Sequence, residues 1–463
     1  MGEVASARAM APSLSLGWRR FPAGSSRRKP RLRCLYALLV PLLLLVVLLW
    51  RSLPSRSVVD LDLTALMRDD SAYEGEAYAR TPRPSASGDP LDTRYAPFKC
   101  LRCPASSSLA RHAPLAFVIG TQKGGTTSLN YFLGQNPHVL YDSKEGHVLQ
   151  KSKVALTGLP GGQICPSKGQ MQPVCLRDKL VNRCAILSHY ERHRRTARIL
   201  SLRSWWKGWR APRARGALRF IDDSPAYLYY SHVVPQRMLC VEPHAKVIVL
   251  LRHPIDRALS EYKMVNRKRK GLYGLEHLHP FADVARAGMA ALVEAGLQNA
   301  SLSPADEYVA WTRFHERHPI LNEYALPGSS PVTSAPDIVA RGLYDVQLRQ
   351  WLAVLRDRFG PDRMMDHILI MESETFAKDN QRVYDEVVDF VGLPRHSLGS
   401  SAGKARNSAA KLDAGLPAGE QARLNYVPPE LRAELESFYR PHLRRLHELL
   451  APLGVEISWA KDT

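Results

Sequence analysis

The most constraining feature of this 463-residue chain is a short apolar run followed by a glycine-rich loop and a helical pattern. The run is Leu115-Ala-Phe-Val-Ile-Gly120, and the loop is Gly120-Thr-Gln-Lys-Gly-Gly-Thr-Thr-Ser128. An apolar run of this length that stops at glycine is typical of a buried parallel strand. A strand, a glycine loop and a helix in this order predict a site where backbone N–H groups and the helix dipole hold an anion.

The loop differs from the Walker A pattern of ATP-binding proteins in the place of its lysine. Walker A requires Lys after the second glycine, whereas Lys123 precedes both glycines. A lysine inside the loop can offset the charge that develops on a leaving group. The predicted anion contacts are six consecutive residues: Lys123, Gly124, Gly125, Thr126, Thr127 and Ser128. A glycine-rich turn without a ligand is the alternative interpretation.

Further apolar runs and helical patterns extend this motif into a domain. Strand-like runs recur at 246–251 and 367–371. Helical patterns occupy 126–133, 256–267, 344–358, 381–391 and 429–450. The alternation predicts an α/β, P-loop-like three-layer fold with a mainly parallel central sheet. Two insertions, 151–219 and 268–340, exceed ordinary loop lengths and are expected to shape an acceptor site.

The N-terminal part of the chain predicts a membrane anchor. Residues 34–50 form an apolar run of 17 residues, long enough to span a bilayer, and eight basic residues precede it against one acid. The positive-inside rule then gives a cytosolic tail at 1–33 and a lumenal remainder. A Pro- and Ser-rich stem at 51–113 would lead to a catalytic domain at 114–455. A cleaved signal or transit peptide is the alternative.

Charge, cysteines and one tripeptide bear on the partners and the compartment. A net charge of +20 favours anionic partners without choosing among them. The Cys100-x-x-Cys103 pair lacks a second ligand pair at zinc spacing, so a structural disulfide or no special role is expected, and no metal site is predicted. Asn299-Ala-Ser301 is a glycosylation acceptor if it is lumenal.

The glycine-rich loop resembles a known donor site. Gln122-Lys-Gly-Gly-Thr-Thr-Ser-Leu129 is similar to the 5'-phosphosulfate loop of sulfotransferases that use 3'-phosphoadenosine 5'-phosphosulfate (PAPS). The resemblance implies that Lys123, Thr126 and Thr127 contact the 5'-phosphosulfate. It also implies that Lys123 stabilises the departing phosphate.

A second segment resembles the 3'-phosphate site of the same family. Leu251-Arg-His-Pro-Ile-Asp-Arg-Ala-Leu-Ser-Glu-Tyr262 reads as a strand end, a turn and a helix. The resemblance implies that Arg252 and Ser260 bind the 3'-phosphate. A guanidinium suits that task because it presents a fork of donors to phosphate oxygens. A surface ion pair and a helix-face hydroxyl are the alternatives for these two residues.

Other segments are similar to the Golgi carbohydrate sulfotransferases of the heparan sulfate type. Lys144-Glu-Gly-His147 resembles their K-E-x-H segment, which implies Glu145 as general base, with His147 helping to position the proton and Lys144 near the acceptor. Arg341-Gly-Leu-Tyr344 resembles their G-x-Y segment and implies two further acceptor contacts. The resemblance spans roughly residues 114 to 450 and leaves the two insertions unmatched.

Three departures from the family pattern concern the acceptor and the donor. Asp223 stands where the family has a substrate-facing lysine, which puts the acceptor in doubt. The usual Arg-[Asp/Asn]-Pro is Arg252-His-Pro. The loop that closes over PAPS is echoed by Gly403-Lys-Ala-Arg-Asn407, which supplies Lys404 and Arg406.

The segment 192–219 is strongly basic, with ten Lys or Arg residues and no acid. Trp205 and Trp206 lie among these cations, an arrangement that suits an anionic sugar chain. The same pattern serves single-stranded nucleic acid, but a lumenal location argues against that partner. An amphipathic surface helix is the simpler alternative.

These observations predict a single-pass type II protein of the Golgi membrane that transfers a sulfuryl group from PAPS to a hydroxyl or amino group of a carbohydrate. A protein-tyrosine acceptor and a non-catalytic, membrane-tethered glycan-binding protein are the alternatives. A P-loop kinase is disfavoured by the early lysine and the Arg-x7-Ser segment.

Overall fold

A computed structural model describes residues 99–101, 103, 108–140, 147–150, 180–206, 218–273, 280–298, 302–318, 336–402 and 418–461. The predicted anchor and nearly all of the stem lie outside these residues. So do Lys144, Glu145, Asn299, Lys404 and Arg406. Within the described residues, no helix is both long and apolar enough to cross a membrane.

Seven strands are described. In chain order they are β1 (Lys99–Leu101), β2 (Ala116–Gly120), β3 (Val139–Leu140), β4 (Leu180–Asn182), β5 (Arg219–Asp223), β6 (Lys246–Leu251) and β7 (Ile368–Glu372). Five of them form one sheet in the order β3-β5-β2-β6-β7, and every neighbouring pair is parallel. The predicted parallel sheet is confirmed, and β5, which the sequence patterns did not single out, lies beside β2.

The described helices are α1 (Thr126–Leu133), α2 (Arg183–Trp206), α3 (Val234–Val241), α4 (Pro254–Tyr273), α5 (Phe281–Glu294), α6 (Pro304–Arg317), α7 (Pro336–Ala340), α8 (Tyr344–Phe359), α9 (Ser373–Lys378), α10 (Asn380–Phe390), α11 (Ala418–Asn425), α12 (Pro429–Leu450) and α13 (Ser458–Lys461). The bounds of α1 and α12 equal the predicted ones. The described parts of both insertions are largely helical, with α2 in the first and α5 and α6 in the second.

The sheet is buried on both faces because alternate residues of each strand pack into two different apolar clusters. In β2, Phe117 and Ile119 enter one cluster, and Ala116 and Val118 enter the other. Helices α8 and α12 contribute to the first cluster, and α1 and α10 to the second. Burial on both faces explains why the strands are continuous apolar runs rather than alternating patterns.

The two cysteines of the C-x-x-C pair are bonded to different partners. Cys100 pairs with Cys240 and Cys103 with Cys184, at Cα separations of 5.6 and 5.2 Å. These bonds tie the segment before the sheet to α3 and α2. The pair is therefore neither a zinc ligand set nor a two-cysteine redox site.

Candidate active site

The anion loop leaves the carboxyl end of β2 and passes close to the end of β6. The Thr121 N–H donates to the Leu250 carbonyl oxygen at 2.8 Å. A Cβ atom on Gly124 would lie 2.5 Å from that oxygen, so this position requires glycine. Gly125 has a φ of 97°, in the left-handed region that favours glycine. The two glycines thus let the loop turn tightly against the sheet.

The start of α1 presents backbone donors at this loop. Gly125 is the N-cap residue and offers no side-chain cap, while its carbonyl accepts the N–H groups of Ser128 and Leu129. Among the described residues, no acceptor receives the N–H of Thr126 or Thr127. Unfilled donors at a helix N-terminus favour an anion. The geometry is suited to the 5'-phosphosulfate contacts that the sequence predicts.

Side chains of the loop differ in their exposure. Thr126 and Ser128 are buried, Lys123 is half-buried and Thr127 is exposed. Lys123 has a φ of 72°, which is uncommon for a non-glycine residue and typical of strained positions at functional sites. Its Nζ lies 3.8 Å from the Met264 Sδ on α4. The loop lysine is therefore directed toward the helix that carries Ser260.

Two residues that the sequence analysis did not select support the loop. Ser373, which follows β7, donates its hydroxyl to the Gly124 carbonyl at 2.7 Å. Gln122 is buried and accepts a hydrogen bond from the Arg341 guanidinium. Ser373 directly follows β7, the strand beside β6. Its position at the end of a predicted strand is the sequence signal that could have identified it. Nothing local distinguishes Gln122.

Arg252 lies directly after β6 and contacts the anion loop. Its Nη1 donates to the Lys123 carbonyl at 3.2 Å, and its own carbonyl accepts the Tyr344 hydroxyl at 2.8 Å. The structure thus brings the two predicted phosphate segments together at the carboxyl edge of the sheet. Ser260 is half-buried in α4, the helix that follows Arg252.

Tyr344 is buried, and its hydroxyl is engaged with the protein backbone. Burial raises the pKa of this phenol to about 12, so the hydroxyl stays protonated and donates. Its described contact is the Arg252 carbonyl rather than open solvent. Acceptor binding by Tyr344 stays a prediction, and the structure adds a role in fixing the backbone of Arg252.

Arg341 is buried behind the anion loop. Its guanidinium contacts Gln122, pairs with Asp337 at 3.2 Å and lies 3.4 Å from the Glu261 carboxylate. Burial raises the pKa of Asp337 to about 6, and the nearby Arg341 opposes that rise. Acceptor binding by Arg341 stays a prediction. The described contacts of Arg341 are with other buried protein groups, and one of them holds the Gln122 side chain in place.

The carboxyl end of β5 carries the segment in which Asp223 replaces the expected lysine. Asp223 is buried, and the Ser224 N–H donates to the Val118 carbonyl at 3.0 Å, so this turn lies beside β2. The His147 N–H donates to the Ser224 hydroxyl at 3.0 Å. His147 therefore lies at the same edge of the sheet as the anion loop. Sequence reasoning missed the neighbour of Asp223, Asp222, whose buried carboxylate accepts several hydroxyl groups.

The described part of the basic segment places arginines at the opposite end of the sheet. Arg194 of α2 donates to the Leu218 carbonyl at 3.2 Å, so the helix crosses the start of β5 there. Burial lowers the pKa of Arg194, and the neighbouring cations Arg198, Arg219 and Arg111 lower it further. We call these four residues the arginine patch. The side chains of Trp205 and Trp206 lie outside the described part of α2.

The residues that the structure describes contain no group of three or more His, Cys, Asp or Glu side chains able to hold a metal ion. The groups positioned at the carboxyl edge are backbone N–H donors, the side chains of Lys123 and Arg252, and the backbone of His147, which Ser224 holds. This set binds anions and stabilises charge.

Comparison with known proteins finds one matching family, two similar curated proteins and a similar solved structure. Residues 114–307 match the sulfotransferase family. The chain is 24% identical to human heparan sulfate glucosamine 3-O-sulfotransferase 6 over 81% of its own length and 79% of the relative. It is also 24% identical to the mouse protein of that name, over 82% and 84%. A solved sulfotransferase from Alicyclobacillus acidocaldarius is 21% identical, with a TM-score of 0.42, and covers 75% of this chain and 98% of that one.

The family match begins just before β2 and contains the anion loop, Arg252 and Ser260. The match to this family implies that PAPS is the sulfuryl donor. The described geometry agrees with an anionic donor at the carboxyl edge of the sheet. The chain therefore carries a sulfotransferase-family domain and is a sulfotransferase.

Proposed function

We propose that this enzyme transfers a sulfuryl group from PAPS to a hydroxyl or amino group of a carbohydrate. The observation that carries the proposal is the direct contact between the two phosphate segments, in which the Arg252 guanidinium donates to the Lys123 carbonyl. One donor with phosphates at both ends of its ribose would bridge these segments. A simple nucleoside triphosphate would leave Arg252 without a 3'-phosphate to bind.

The chain's own residues divide the donor between two elements. The N–H groups of Thr126 and Thr127, with the hydroxyls of the loop, bind the 5'-phosphosulfate. Lys123 offsets charge on the departing phosphate, because its ammonium is carried on a loop that the sheet holds rigidly. Arg252 and Ser260 bind the 3'-phosphate, and Lys404 and Arg406 close over it. PAPS supplies the sulfuryl group.

The acceptor side is proposed around the K-E-x-H segment. Glu145 removes the acceptor proton, and His147 helps to orient the transfer. Lys144 contacts the acceptor. Support comes from the position of His147, which the Ser224 hydroxyl holds at the carboxyl edge of the sheet.

A carbohydrate acceptor is supported by the relatives, whose names describe a heparan sulfate glucosamine 3-O-sulfotransferase. The arginine patch supports an acceptor with acidic groups, and Trp205 and Trp206 of α2 would stack on sugar rings. Asp223, buried at the catalytic edge, favours a locally uncharged acceptor sugar. We further propose that residues 34–50 anchor the enzyme in the Golgi membrane, with the domain in the lumen and Asn299 glycosylated.

Nucleotide affinity tests the donor assignment. The full chain in detergent should bind 3',5'-ADP more tightly than 5'-AMP, because Arg252 and Ser260 recognise the 3'-phosphate. Arg252→Ala should reduce this preference by about tenfold or more, since charge-assisted hydrogen bonds contribute about 1.5–3 kcal/mol. The matched control is Arg363→Ala, an exposed arginine between α8 and β7, which should leave the preference unchanged. Equal affinity of the native protein for both nucleotides would contradict the assignment.

Transfer from PAPS to a panel of glycans, tyrosine peptides and small phenols then tests the acceptor. Sulfation of glycans alone supports the proposal. Sulfation of tyrosine peptides alone would replace the carbohydrate acceptor with a protein one.

A further inference from the structure

A buried carboxylate organises the catalytic edge next to the anion loop. Asp222, at the end of β5, is 2% exposed and accepts three hydroxyl groups. Tyr190 and Tyr227 donate to its Oδ2 at 2.6 and 2.9 Å, and Ser224 donates to its Oδ1 at 2.6 Å. In each of these bonds the hydroxyl group is the donor, so its proton points toward the Asp222 carboxylate.

Two of these hydroxyls also hold the backbone that follows the K-E-x-H segment. The Ser224 hydroxyl accepts the His147 N–H at 3.0 Å, and the Tyr227 hydroxyl accepts the Leu149 N–H at 2.9 Å. Each hydroxyl can accept because its proton is committed to Asp222. The third hydroxyl, that of Tyr190, has the same bond to Asp222, and none of its described contacts reaches residues 147–149.

The held backbone has an unfavourable conformation. His147 has a φ of 50°, a left-handed value that costs a non-glycine residue of order 1 kcal/mol or more unless its surroundings enforce it. The buried Arg237 adds a third constraint, because its Nη1 donates to the Leu149 carbonyl at 2.6 Å. Hydrogen bonds on both sides of Val148 therefore enforce the geometry at His147.

We propose that Asp222 is a positioning residue for the sulfuryl-transfer reaction, acting through Ser224 and Tyr227 to fix the backbone of His147. The inference rests on the proposed function, in which His147 helps to orient the proton transfer. Asp222 itself touches neither donor nor acceptor. Its effect is to align two hydroxyl groups as acceptors for backbone amides, which a neutral amide side chain would not do reliably.

The two tyrosines provide a matched test. Tyr227→Phe and Tyr190→Phe each remove one buried hydroxyl and one bond to the same Asp222 oxygen, but only Tyr227→Phe releases the Leu149 amide. Tyr227→Phe and Ser224→Ala should lower kcat by about tenfold or more, the scale of a displaced proton-transfer group. Tyr190→Phe should stay within about twofold of the native kcat. The KM for PAPS should change in none of them, since the anion loop is untouched.

A double-mutant cycle and amide exchange identify the route of the effect. In a His147→Ala background, Tyr227→Phe should cause no further loss of kcat, because the two changes act on one step. Hydrogen exchange in a peptide spanning 147–150 should be faster in Tyr227→Phe than in Tyr190→Phe. Equal kcat losses in the two tyrosine variants, or additive losses with His147→Ala, would overturn the positioning role.

The exchange measurement separates this inference from the proposed function. If the native enzyme transfers sulfuryl only to a non-carbohydrate acceptor, the proposed acceptor fails while the tyrosine comparison stands. If transfer to glycans is confirmed but Tyr227→Phe matches Tyr190→Phe in both kcat and exchange, the positioning role alone fails.

Discussion

The two ends of the central sheet both attract anions, and they do so in different ways. At the carboxyl end, the loop after β2 offers backbone N–H groups and is held by Leu250, Ser373 and Arg252. At the amino end, the arginine patch offers side chains, and Arg111, Arg198 and Arg219 are exposed. The first region is fixed in shape, whereas the second presents only charge.

The distance between the two regions follows from strand register. Arg219 begins β5 two positions before Ile221, which pairs with Ala116 of β2, and the anion loop leaves β2 at Gly120. At roughly 3.3 Å per residue, the regions lie about 20 Å apart along the strands. The patch is therefore separate from the donor site and would contact only an extended ligand.

The difference assigns ligand specificity to the carboxyl end of the sheet and general attraction of anions to the arginine patch. Fixed donors in a water-poor site bind one shape and lose no side-chain entropy on binding. Exposed arginines attract any anion. Their side chains lose conformational entropy when they bind it, and salt screens the attraction. A polymeric acidic acceptor can use both regions, because binding at one raises its effective concentration at the other.

The largest expected effect is a loss of the transfer reaction without a loss of anion binding. Glu145→Gln should lower kcat by about 10²- to 10⁴-fold, because the amide keeps the shape but cannot take a proton. Its affinity for 3',5'-ADP should stay near that of the native enzyme. Lys123→Ala is the contrasting variant and should weaken nucleotide binding as well as transfer, since it lies in the anion loop. Retention of more than about a tenth of the activity by Glu145→Gln would remove it as the general base.

The next effect tests whether shape governs the carboxyl end. Gly124→Ala places a Cβ 2.5 Å from the Leu250 carbonyl oxygen and should displace the loop. We expect the affinity for 3',5'-ADP to fall at least about tenfold, which corresponds to about 1.4 kcal/mol. Gly419→Ala is the control, because a Cβ there meets nothing within 4 Å. Calorimetric titration of both variants measures the difference, and equal affinities would show that the loop tolerates a side chain.

Acid should lower the stability of the protein through a pair of buried histidines. His232 and His315 are buried with ring centroids 4.2 Å apart, and burial first, then Arg237, lowers the pKa of His232 to about 3. The unfolded chain binds a proton on this histidine near pH 6.5, and the folded chain does not. The contribution of the neutral His232 to the free energy of unfolding is therefore fully present above pH 6.5, and it is lost as the pH drops from 6.5 toward 3.

Chemical unfolding at two pH values measures this effect. Between pH 7 and 5.5, His232 alone should remove about 1 kcal/mol of unfolding free energy. His232→Gln should flatten the dependence on pH, while the same change at the exposed His244 should not. An unchanged slope in His232→Gln would contradict a neutral buried imidazole.

The smallest expected effect concerns the patch. The pair Arg198→Glu with Arg219→Glu should raise the KM for a long acidic polysaccharide by roughly fivefold at low salt, about 1 kcal/mol in total. The control pair, Arg363→Glu with Arg382→Glu, changes the net charge equally at exposed sites elsewhere on the sheet-bearing domain. The KM for a short acceptor should change in neither pair. Equal effects of the two pairs would assign the result to net charge alone.

Several parts of the protein were determined by the sequence alone because they are local. The strand-loop-helix order at β2, the bounds of α1 and the run of β6 follow from apolar patterns and glycines that are contiguous in the chain. The anion loop belongs to this class, since its donors are backbone groups whose placement needs only a strand, two glycines and a helix start.

Tertiary structure decided the features that join distant segments. The sequence did not reveal that β5 lies beside β2, that Arg341 turns inward to Gln122, or that Cys100 bonds to Cys240. Nor did it single out Asp222, which looks like any acid at a strand end until two tyrosines from different elements converge on it. The physical reason is that burial and hydrogen-bond satisfaction are properties of the packed chain, and a local pattern of residues does not specify which partners packing will supply.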